Sequence, residues 1–587
     1  MIALRQRDPE AMAGGKERAG QEIRGRLTQA RARPATGFVS HPEPRTIGSF
    51  ARGRQLIAGN FQFAGYLIEG PGQSIWDLPM PDPSFEQALH GFAWLDDLSA
   101  VGDAAARGRA QDWTFDWISR FGAGSGPGWT PDLTGQRLMR LINHALMVMN
   151  GRERGKADAF FRTLGQQTLF LSRRWRSAGP GLPRFQALTG LIHAGLSLTG
   201  MAGHAAPAAE ALAQECAERI DAQGGIESRN PEELLDIFAL LIWASDVLTA
   251  AGRTPAPAHF HAIARIAPTL RALRHADGGL ARFHGGGRGA EGKLDSALAA
   301  SGSRKPAGDG LAMGFARLHA GRSTLIVDAA APPLGEASAH AHASTLALEL
   351  TSGRRPLIVN CGSGAQFGPD WALAGRATAS HSTLALEGYS SSRLGPTCKL
   401  GGIPRTRLDE TPREVWMRAE TDPARHALFG HDGYVVTHGL THVRELELSP
   451  DGGVLRGADT LGAMSTADRK RFDAVFVRSG LKGVPFKLHF HLHPDVDATL
   501  DMGGWAVSMA LKTGEIWVFR FDGPVELGLL PSVYLDRTRL RPRPTKQIVL
   551  SGALFDHALQ IDWTFERAQV TPTAIRDSGT TPLALDI

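Results

Sequence analysis

The spacing of the apolar residues changes once along this chain of 587 residues, and the change limits the fold to two parts in series. Between about 84 and 277, apolar side chains recur every three or four residues, which is the period of an α-helix. After Gly310 the period becomes two, which is typical of strands with one buried face. No helical pattern of comparable length interrupts the second part. We therefore predict a multidomain α+β protein with paired helices first and a large antiparallel β domain second.

The individual elements follow from the same two periods. The spacing predicts five long helices near 157–175, 184–199, 207–222, 232–251 and 259–275. Ser84 and Gln87 have the spacing of a capping box that begins an earlier helix. Asp451-Gly452, between two alternating segments, predicts a β-hairpin. The predicted division is a basic flexible tail over 1–45, a helical domain over 46–285, a linker over 286–309 and a β domain over 310–587.

Charge and composition argue against several classes of function. The segment up to Pro34 holds eight basic and four acidic residues, so its net charge of +4 accounts for nearly all of the +5 of the chain. The body is therefore close to neutral, which argues against a nucleic-acid-binding surface. No apolar run of about 18 residues is present, so we expect no membrane-spanning helix. Three widely separated cysteines and the lack of a secretory pattern favour the cytoplasm.

Two groups of histidines have spacings that suit chemistry. His340 and His342 lie two apart in a predicted strand, where both imidazoles would face the same way, as a metal ligand and a general base would. Two surface histidines are the alternative. His489, His491 and His493 alternate along another predicted strand. Their spacing is that of a metal-binding set, and a polar sheet face is the alternative.

Arginines in the helical half could bind a carboxylate. Arg229 and Asn230 lie in a Gly-rich turn that leads into the helix predicted over 232–251. There Asn230 could cap the helix while Arg229 binds an acidic group near the helix N-terminus, and capping alone is the alternative. Arg184 lies on another predicted helix, where a solvated arginine is the usual case. The sequence contains no P-loop, GxSxG or HExxH motif.

The order of three later segments resembles the heparinase II/III family of polysaccharide lyases. These segments are 340-HAHAS-344, 357-LIVNCG-362 and 376-RATASHST-383. In that family they correspond to an HxH strand, a strand with a metal-binding aspartate, and a segment with an arginine and a histidine. The resemblance covers most of the chain after about residue 46. It implies an (α/α) toroid of helix pairs followed by an antiparallel β-sandwich.

The resemblance also implies a reaction and a set of site residues. Enzymes of this family remove the C5 proton of a uronic acid and expel the C4 oxygen, which requires a base, an acid and a group that neutralises the carboxylate. The implied catalytic residues are His340, His381 and Arg376. The implied carboxylate-binding residues are Arg184, Arg229, Arg376 and Asn230. The implied ligands of one divalent metal, zinc or calcium, are His342, Asn360 and His381.

Three departures from the family leave the activity open. Asn360 takes the place of the aspartate ligand and is a weaker, neutral donor. The toroid segment 182-LPRF-185 lacks the Asn and His of the family, and the position of the family's catalytic tyrosine falls near Glu233. The chain has only four tyrosines. Tyr389, eight residues after His381, is the one substitute within reach, and strand-end packing is the alternative.

The predicted function is therefore that of a polysaccharide lyase-like enzyme that cleaves a uronate-containing acidic glycan by β-elimination. One alternative is a catalytically inactive protein that binds an acidic glycan on the lyase scaffold. The other is a metal-dependent glycan hydrolase that uses the three alternating histidines at 489–493. The expected partner is an acidic poly- or oligosaccharide, with no nucleic acid. The resemblance makes the periplasm or cell envelope the alternative to the cytoplasm.

Overall fold

The computed structural model describes residues 35–40, 46–308, 310–400, 403–419 and 425–568. The chain divides into two units, the first with residues up to 220 and 236–263, the second with 221–235 and the residues from 264 onward. The predicted order, with helices first and antiparallel sheets second, is confirmed. Most of the predicted basic tail lies outside the described residues.

The helices of the N-terminal half follow one another with short breaks, and a small hairpin of β1 (Asn60–Phe63) and β2 (Tyr66–Glu69) follows the first of them. The helices are α1 (Phe50–Ala58), α2 (Pro83–His90), α3 (Ala93–Val101), α4 (Ala104–Phe121), α5 (Pro131–Asn143), α6 (Ala145–Met149), α7 (Arg154–Arg174), α8 (Leu182–Ser197), α9 (Ala205–Arg219), α10 (Pro231–Ala250) and α11 (Pro257–Ala272). Within the described part of the chain, no helix combines the length and apolarity needed to cross a bilayer.

The start of α2 differs from the predicted capping box. The Asp82 side chain accepts a hydrogen bond from the Phe85 N–H at 2.8 Å, and Pro83 occupies the first helical position. An aspartate cap followed by proline is a strong helix start, because the carboxylate satisfies a free N–H and the ring fixes φ. The capping box predicted for Ser84 and Gln87 is therefore wrong.

Part of the predicted tail contacts the end of α8. Ala35 is buried, and the Val39 N–H donates to the Ser197 carbonyl at 2.8 Å. The rings of Phe38 and Phe161 meet edge to face, with centroids 5.1 Å apart. Residues 35–40 are thus packed on the helical unit, although they lie before the predicted boundary at residue 45.

Helices α5 and α8 approach each other at the backbone. A Cβ atom on Gly190 would lie 2.5 Å from the Cα atom of Gly135, so only glycine fits at this crossing. Two residues further along α5, Arg137 is fully buried and donates to the carbonyls of His90 and Gly128. Arg137 is therefore a core residue and not a solvated arginine.

The second unit is an antiparallel sandwich with a few short helices. Its larger strands are β3 (Phe315–Ala320), β4 (Ser323–Asp328), β5 (Leu348–Ser352), β6 (Arg355–Val359), β11 (His426–Tyr434), β12 (Leu440–Leu448), β13 (Val454–Gly462), β14 (Val484–Leu492), β17 (Ile516–Asp522), β18 (Glu526–Tyr534), β19 (Arg543–Leu554) and β20 (Ala558–Arg567). The shorter or peripheral ones are β7 (Leu384–Leu386), β8 (Arg393–Leu400), β9 (Ile403–Glu410), β10 (Val415–Arg418), β15 (Asp497–Asp501) and β16 (Ala506–Ala510). The helices are α12 (Lys293–Ala300), α13 (Pro369–Ala374), α14 (Val435–His438) and α15 (Thr466–Arg478).

Two sheets enclose the core of this unit. One has the strand order β10-β11-β12-β13-β20-β17-β16-β15, and the other has the order β18-β19-β14-β6-β5-β4-β3, with β7 paired to β14. The predicted hairpin at Asp451-Gly452 is confirmed, because β12 and β13 pair across it with Leu448 opposite Leu455. The segment predicted as a linker, 286–309, contains α12, and the other predicted domain boundaries stay predictions.

A buried ion pair joins two neighbouring strands of one sheet, β12 and β13. Arg444 of β12 donates to both carboxylate oxygens of Asp459 on β13, and its Nη1 atom donates to the carbonyls of Leu346 and Ser382. The indole of Trp563 donates to the same aspartate at 2.7 Å. Each nitrogen of the guanidinium has an acceptor and the two charges face each other, which a buried ion pair requires if it is not to destabilise the fold.

Replacing Asp459 by Asn should destabilise the sandwich. The change keeps the shape of the side chain but leaves the fully buried Arg444 without a counter-charge, which costs about 3–5 kcal/mol. The measurement is urea-induced unfolding followed by tryptophan fluorescence. Asp562→Asn on the exposed side of the neighbouring strand is the matched control and should change the midpoint little. Equal midpoints for the two variants would contradict the assigned role of Arg444.

Candidate functional site

The carboxylate of Asp328, at the end of β4, joins three separate segments. It is fully buried and accepts hydrogen bonds from Arg229 Nη2 at 2.5 Å and from the Ser344 hydroxyl at 2.6 Å. His284 Nε2 lies 3.3 Å from its second oxygen. Burial disfavours the charged form, but the Arg229 charge and the hydrogen bonds outweigh it and hold the pKa of Asp328 well below its usual range. Asp328 is therefore ionised at neutral pH.

All the hydrogen-bond donors of Arg229 bind groups of the protein itself. Its guanidinium stacks on the Phe315 ring, with the carbon 4.7 Å from the ring centroid. Besides Asp328, its N–H groups bind the backbone carbonyls of Met313, Gly314, Ala330 and Ala331. An arginine has five N–H donors, and these five bonds use all of them. The prediction that Arg229 binds a substrate carboxylate is therefore wrong, because Asp328 and four carbonyls hold its donors.

Four non-glycine residues around Asp328 have a left-handed backbone. They are Arg229, His284, Met313 and Leu346, with φ between 46° and 62°. Such residues cost of order 1–3 kcal/mol each and are kept only where the surrounding contacts fix them. The site is thus built from backbone that the hydrogen bonds of Asp328 and Arg229 hold in an unfavourable conformation.

The HxH segment is not a strand. Residues Gly335–His340 form a 3₁₀ helix, and the chain continues irregularly to His342. His340 is exposed, whereas His342 is 3% exposed. The prediction that His340 and His342 share one face of a strand is wrong, because Arg376 binds the backbone carbonyl groups of this segment. Its Nε and Nη2 atoms donate to Ala341 and Ser338, so these carbonyls are not free for a β-ladder.

Arg376 therefore positions the HxH segment. Its Nη1 atom donates to the Thr406 carbonyl on β9 at 2.7 Å, so one buried guanidinium ties the 3₁₀ helix to that strand. Burial lowers the pKa of Arg376 to about 10, and the group remains charged at neutral pH. Each nitrogen of this guanidinium already donates to the backbone, which does not agree with its predicted role at a substrate carboxylate.

His342 and His381 form a buried hydrogen-bonded pair. His381 Nδ1 lies 2.8 Å from the Ala377 carbonyl, which can only accept, so this nitrogen carries the proton. His381 Nε2 then accepts from His342 Nδ1 at 3.0 Å. The backbone N–H of His342 donates to His284 Nδ1 at 3.2 Å. Burial lowers the pKa of His381 to about 4, so the pair is neutral at pH 7. The predicted catalytic role of His381 stays a prediction.

His340 is the exposed imidazole at this surface. Its Nε2 atom faces the Arg405 guanidinium of β9. Loss of hydration and then the charges of Arg405, Arg376 and Arg537 lower the pKa of His340 to about 4. The ring is therefore neutral at pH 7, and with Nε2 toward a donor it presents the lone pair that a general base needs.

Arg405 and Arg537 are site residues that the sequence reasoning missed. Arg537 is 43% exposed, pairs with Glu232 at 2.7 Å and donates to the Gly285 carbonyl. Gly285 packs directly on His340, since a Cβ atom there would lie 3.2 Å from the His340 carbonyl oxygen. The only signal in the sequence is that each arginine lies in a polar stretch with other arginines, Arg405 within β9 and Arg537 shortly after β18. No spacing rule links positions 405 and 537 to position 340.

Comparison with known proteins agrees with this architecture. Residues 302–564 match the family described as Heparinase II/III-like, C-terminal. Among solved structures, heparinase III aligns with a TM-score of 0.64 and 13% identity over 95% of this chain and 91% of that one. A mutant of the heparan sulfate lyase HepC from Pedobacter heparinus aligns with a TM-score of 0.55 and 15% identity, over 96% and 91%.

The chain has the fold of these solved structures, a helical toroid followed by a β-sandwich. It is also similar along its length to FtsZ-localized protein C of Caulobacter vibrioides (strain NA1000 / CB15N). The two are 28% identical over 562 residues, which cover 93% of this chain and 92% of the relative.

The metal that the family resemblance implies stays a prediction. The facing nitrogens of His342 and His381 are 3.0 Å apart and share a hydrogen bond, and two ligands of one ion bound at about 2.0–2.1 Å would have a similar separation. The Asn360 Oδ1 atom accepts the Ser382 N–H at 2.9 Å. Across the described residues, no group of three or more His, Cys, Asp or Glu is arranged to hold a metal.

The four tyrosines, all within the described residues, make their contacts away from His340. Tyr389 is 42% exposed and packs edge to face on His438, so its observed contact is the strand-end packing considered above. Tyr434 is buried and donates to the Leu384 carbonyl, and Tyr534 packs on His493. Tyr66 donates to Asp82 in the helical unit. The predicted catalytic role of Tyr389 has no contact to support it.

The other predicted substrate-binding residues have protein partners. Arg184 pairs with Glu215 at 2.7 Å and donates to the Ala178 carbonyl. The Asn230 side-chain oxygen accepts from the N–H groups of Glu232 and Glu233, which makes it the cap of α10. A ligand could reach Asn230 only through its amide nitrogen.

The three alternating histidines of β14 and its end are enclosed by the sheet. The rings of His489 and His491 stack 5.9 Å apart on one face, as the spacing predicts. His491 lies within hydrogen-bond distance of Ser532 and of the Ala379 carbonyl, and His489 lies 3.0 Å from Gln547. These ring nitrogens face protein groups. The segment therefore does not supply the metal ligands that the predicted metal-dependent hydrolase would need.

The buried histidines predict a loss of stability in mild acid. Burial lowers the pKa of His381, His489, His491 and His493 to about 4, below the 6.5 of an unfolded chain. Below pH 6.5 the unfolded chain binds protons that the folded chain does not. The contribution of these histidines to the free energy of unfolding should therefore be complete above about pH 6.5 and decrease as the pH falls toward 4.

Urea midpoints at pH 8, 7, 6 and 5 measure this effect. His491→Gln should make the decrease shallower, and replacing the exposed His261 by Gln should not. Midpoints that stay constant from pH 8 to pH 5 would show that these histidines are not buried as neutral groups.

Proposed function

We propose that this chain binds a uronate-containing acidic glycan at His340 and cleaves it by β-elimination with His340 as the base. One observation carries the proposal: an exposed, neutral imidazole faces the Arg405 guanidinium with its Nε2 atom and lies beside Arg537. A base next to paired guanidinium groups is what abstraction of a proton alpha to a carboxylate requires. The match of residues 302–564 to the heparinase II/III-like C-terminal family supports a polysaccharide as the substrate.

Arg405 and Arg537 replace the arginines predicted for the carboxylate. The planar guanidinium binds a carboxylate through two parallel hydrogen bonds, and both side chains are accessible from solvent. When a carboxylate pairs with Arg405, that arginine no longer donates to His340, and its charge is compensated. The pKa of His340 then rises from about 4 toward its ordinary value, which strengthens the base. A neutral sugar would not have this effect.

His340 acts twice in the elimination, first as the base and then as the acid, so that the protons balance. Its Nε2 atom takes the C5 proton, the electron pair of the C5–H bond becomes the C4=C5 double bond, and the C4–O bond breaks. The leaving oxygen needs a proton, and the newly formed imidazolium can return it. This assignment follows from the tyrosine contacts, all of which lie away from His340 in the described structure.

Replacing His340 by Gln should abolish product formation, and Arg405→Gln should lower it, because the first removes the base and the second the carboxylate partner. We expect a decrease of about 10²–10⁴-fold for His340→Gln. The measurement is ultraviolet absorbance of the unsaturated product over a panel of uronate polymers and oligosaccharides. Arg407→Gln is the matched control, since Arg407 lies two residues from Arg405 on β9 and pairs with Glu336. If the folded wild-type protein forms no product from any uronate glycan, the lyase proposal fails.

A second candidate function follows from the relative in Caulobacter vibrioides. That protein is named for localisation with FtsZ, and it aligns with 93% of this chain at a higher identity than the lyase structures do. We propose as the alternative that this chain associates with FtsZ and keeps the His340 surface for binding an acidic glycan without cleavage.

Sedimentation with polymerised FtsZ from the same organism tests the alternative. The full chain should pellet with the filaments and remain in the supernatant without them. Arg405→Gln/Arg537→Gln should pellet as the wild type does, since those arginines serve the glycan in this proposal. Equal amounts in the supernatant with and without filaments would rule the association out.

A further inference from the structure

Two neighbouring turns at one end of a sheet each present a Gly-Arg pair. The turn between β3 and β4 contains Gly321-Arg322, and the turn between β5 and β6 contains Gly353-Arg354. Strands β4 and β5 pair with Ser323 opposite Ser352, which places the two turns side by side. The sheet register therefore brings two exposed arginines together, although they are 32 positions apart in the sequence.

The arginine of the first turn lies across the glycine of the second. A Cβ atom on Gly353 would lie 2.6 Å from Arg322 Nη2, and the Gly353 N–H donates to the Arg322 carbonyl at 2.8 Å. The backbone of Gly353 has φ of +53°, where a side chain is unfavourable in any case. Glycine at this position is thus what allows the Arg322 guanidinium to lie over the turn.

These turns border an open groove of about 700 Å³. Arg317 and His319 of β3 line it together with Arg322 and Arg354, and none of the lining residues is acidic. Arg317 donates to the carbonyls of Ala272 and Arg274, and burial and the Arg274 charge lower its pKa. Throughout the described chain, Arg322 and Arg354 form no ion pair with a carboxylate. The groove therefore carries positive charge that the protein does not neutralise.

The groove is separate from the His340 surface. Strand β4 begins in the groove at Ser323 and ends at Asp328, which belongs to the site described above. Five residue steps of a strand, at about 3.3 Å each, span about 17 Å. A ligand in the groove would therefore not touch the residues around Asp328.

We propose that this groove is a second binding site for an acidic glycan, held by Arg317, Arg322 and Arg354 through its carboxylate or sulfate groups. The ligand class rests on the proposed function. Guanidinium groups bind both kinds of anion through paired hydrogen bonds. The lining contains no phenylalanine, tyrosine or tryptophan on which nucleobases could stack, which disfavours single-stranded nucleic acid. Its only apolar side chain is that of Ala276, which disfavours insertion into a lipid surface.

Binding is measured by fluorescence polarisation in full-length Arg405→Gln/Arg537→Gln protein, so that the His340 surface does not contribute. The probes are labelled polygalacturonate oligosaccharide, which carries carboxylates, and labelled dextran sulfate; neutral dextran is the negative control. Adding Arg322→Gln/Arg354→Gln should weaken binding of at least one acidic probe by about tenfold or more. Adding Arg456→Gln/Arg520→Gln instead, which removes two exposed arginines on the other sheet, should leave it unchanged.

Several outcomes would overturn this site. The site is overturned if neither acidic probe binds, or if Arg405→Gln/Arg537→Gln alone abolishes binding. It is also overturned if the added Arg322→Gln/Arg354→Gln leaves binding unchanged, or if a single-stranded oligonucleotide binds more tightly through the same arginines. Labelling with phenylglyoxal is a second test on the unmutated protein, in which the preferred acidic probe should protect Arg322 and Arg354. The elimination assay reports separately on His340, so product without groove binding refutes only the groove, and groove binding without product refutes only the lyase.

Discussion

The buried pair of Arg229 and Asp328 is the interaction on which the site depends. Two charges removed from water would destabilise the fold unless their donors and acceptors were all satisfied. Here Arg229 makes five hydrogen bonds and Asp328 also accepts from Ser344. The pair fixes the turn before α10, the turn before β3 and the end of β4 in one arrangement. The strained backbone of His284 and Leu346 is held by the same network.

This arrangement explains which parts of the fold could be predicted. Periodicity is a local property, so the helical half, the sandwich and the Asp451-Gly452 hairpin could be read from the sequence. The order of motifs was also sufficient to indicate the heparinase II/III-like match of residues 302–564. The HxH segment could not be placed, since Arg376 overrides the alternating pattern through contacts 35 and 38 residues away. Arg229 was misassigned for a similar reason, because its partner Asp328 is 99 residues distant.

The departures from the family form a consistent set. Where the resemblance implies a metal, two neutral imidazoles share a hydrogen bond and Asn360 binds a backbone N–H. Where it implies a tyrosine near Glu233, the helix start contains a network of Asn230, Glu232 and Arg537. Guanidinium groups of Arg405 and Arg537 lie around His340 in the described structure. Ligand binding at such a surface depends mainly on the charge of the ligand. This is compatible with either proposed function.

The site is also assembled from segments that are far apart in the chain, and this affects its biosynthesis. Arg229, Asp328, His340, Arg405 and Arg537 emerge from the ribosome in that order. At about 5–20 residues per second, translation from Asp328 to Arg537 takes roughly 10–40 s. During that interval Arg229 and Asp328 can already pair, while His340 still lacks one or both guanidinium groups near its ring. The scaffold can therefore fold around Asp328 early, and the charged surface of His340 is completed only near the end of synthesis.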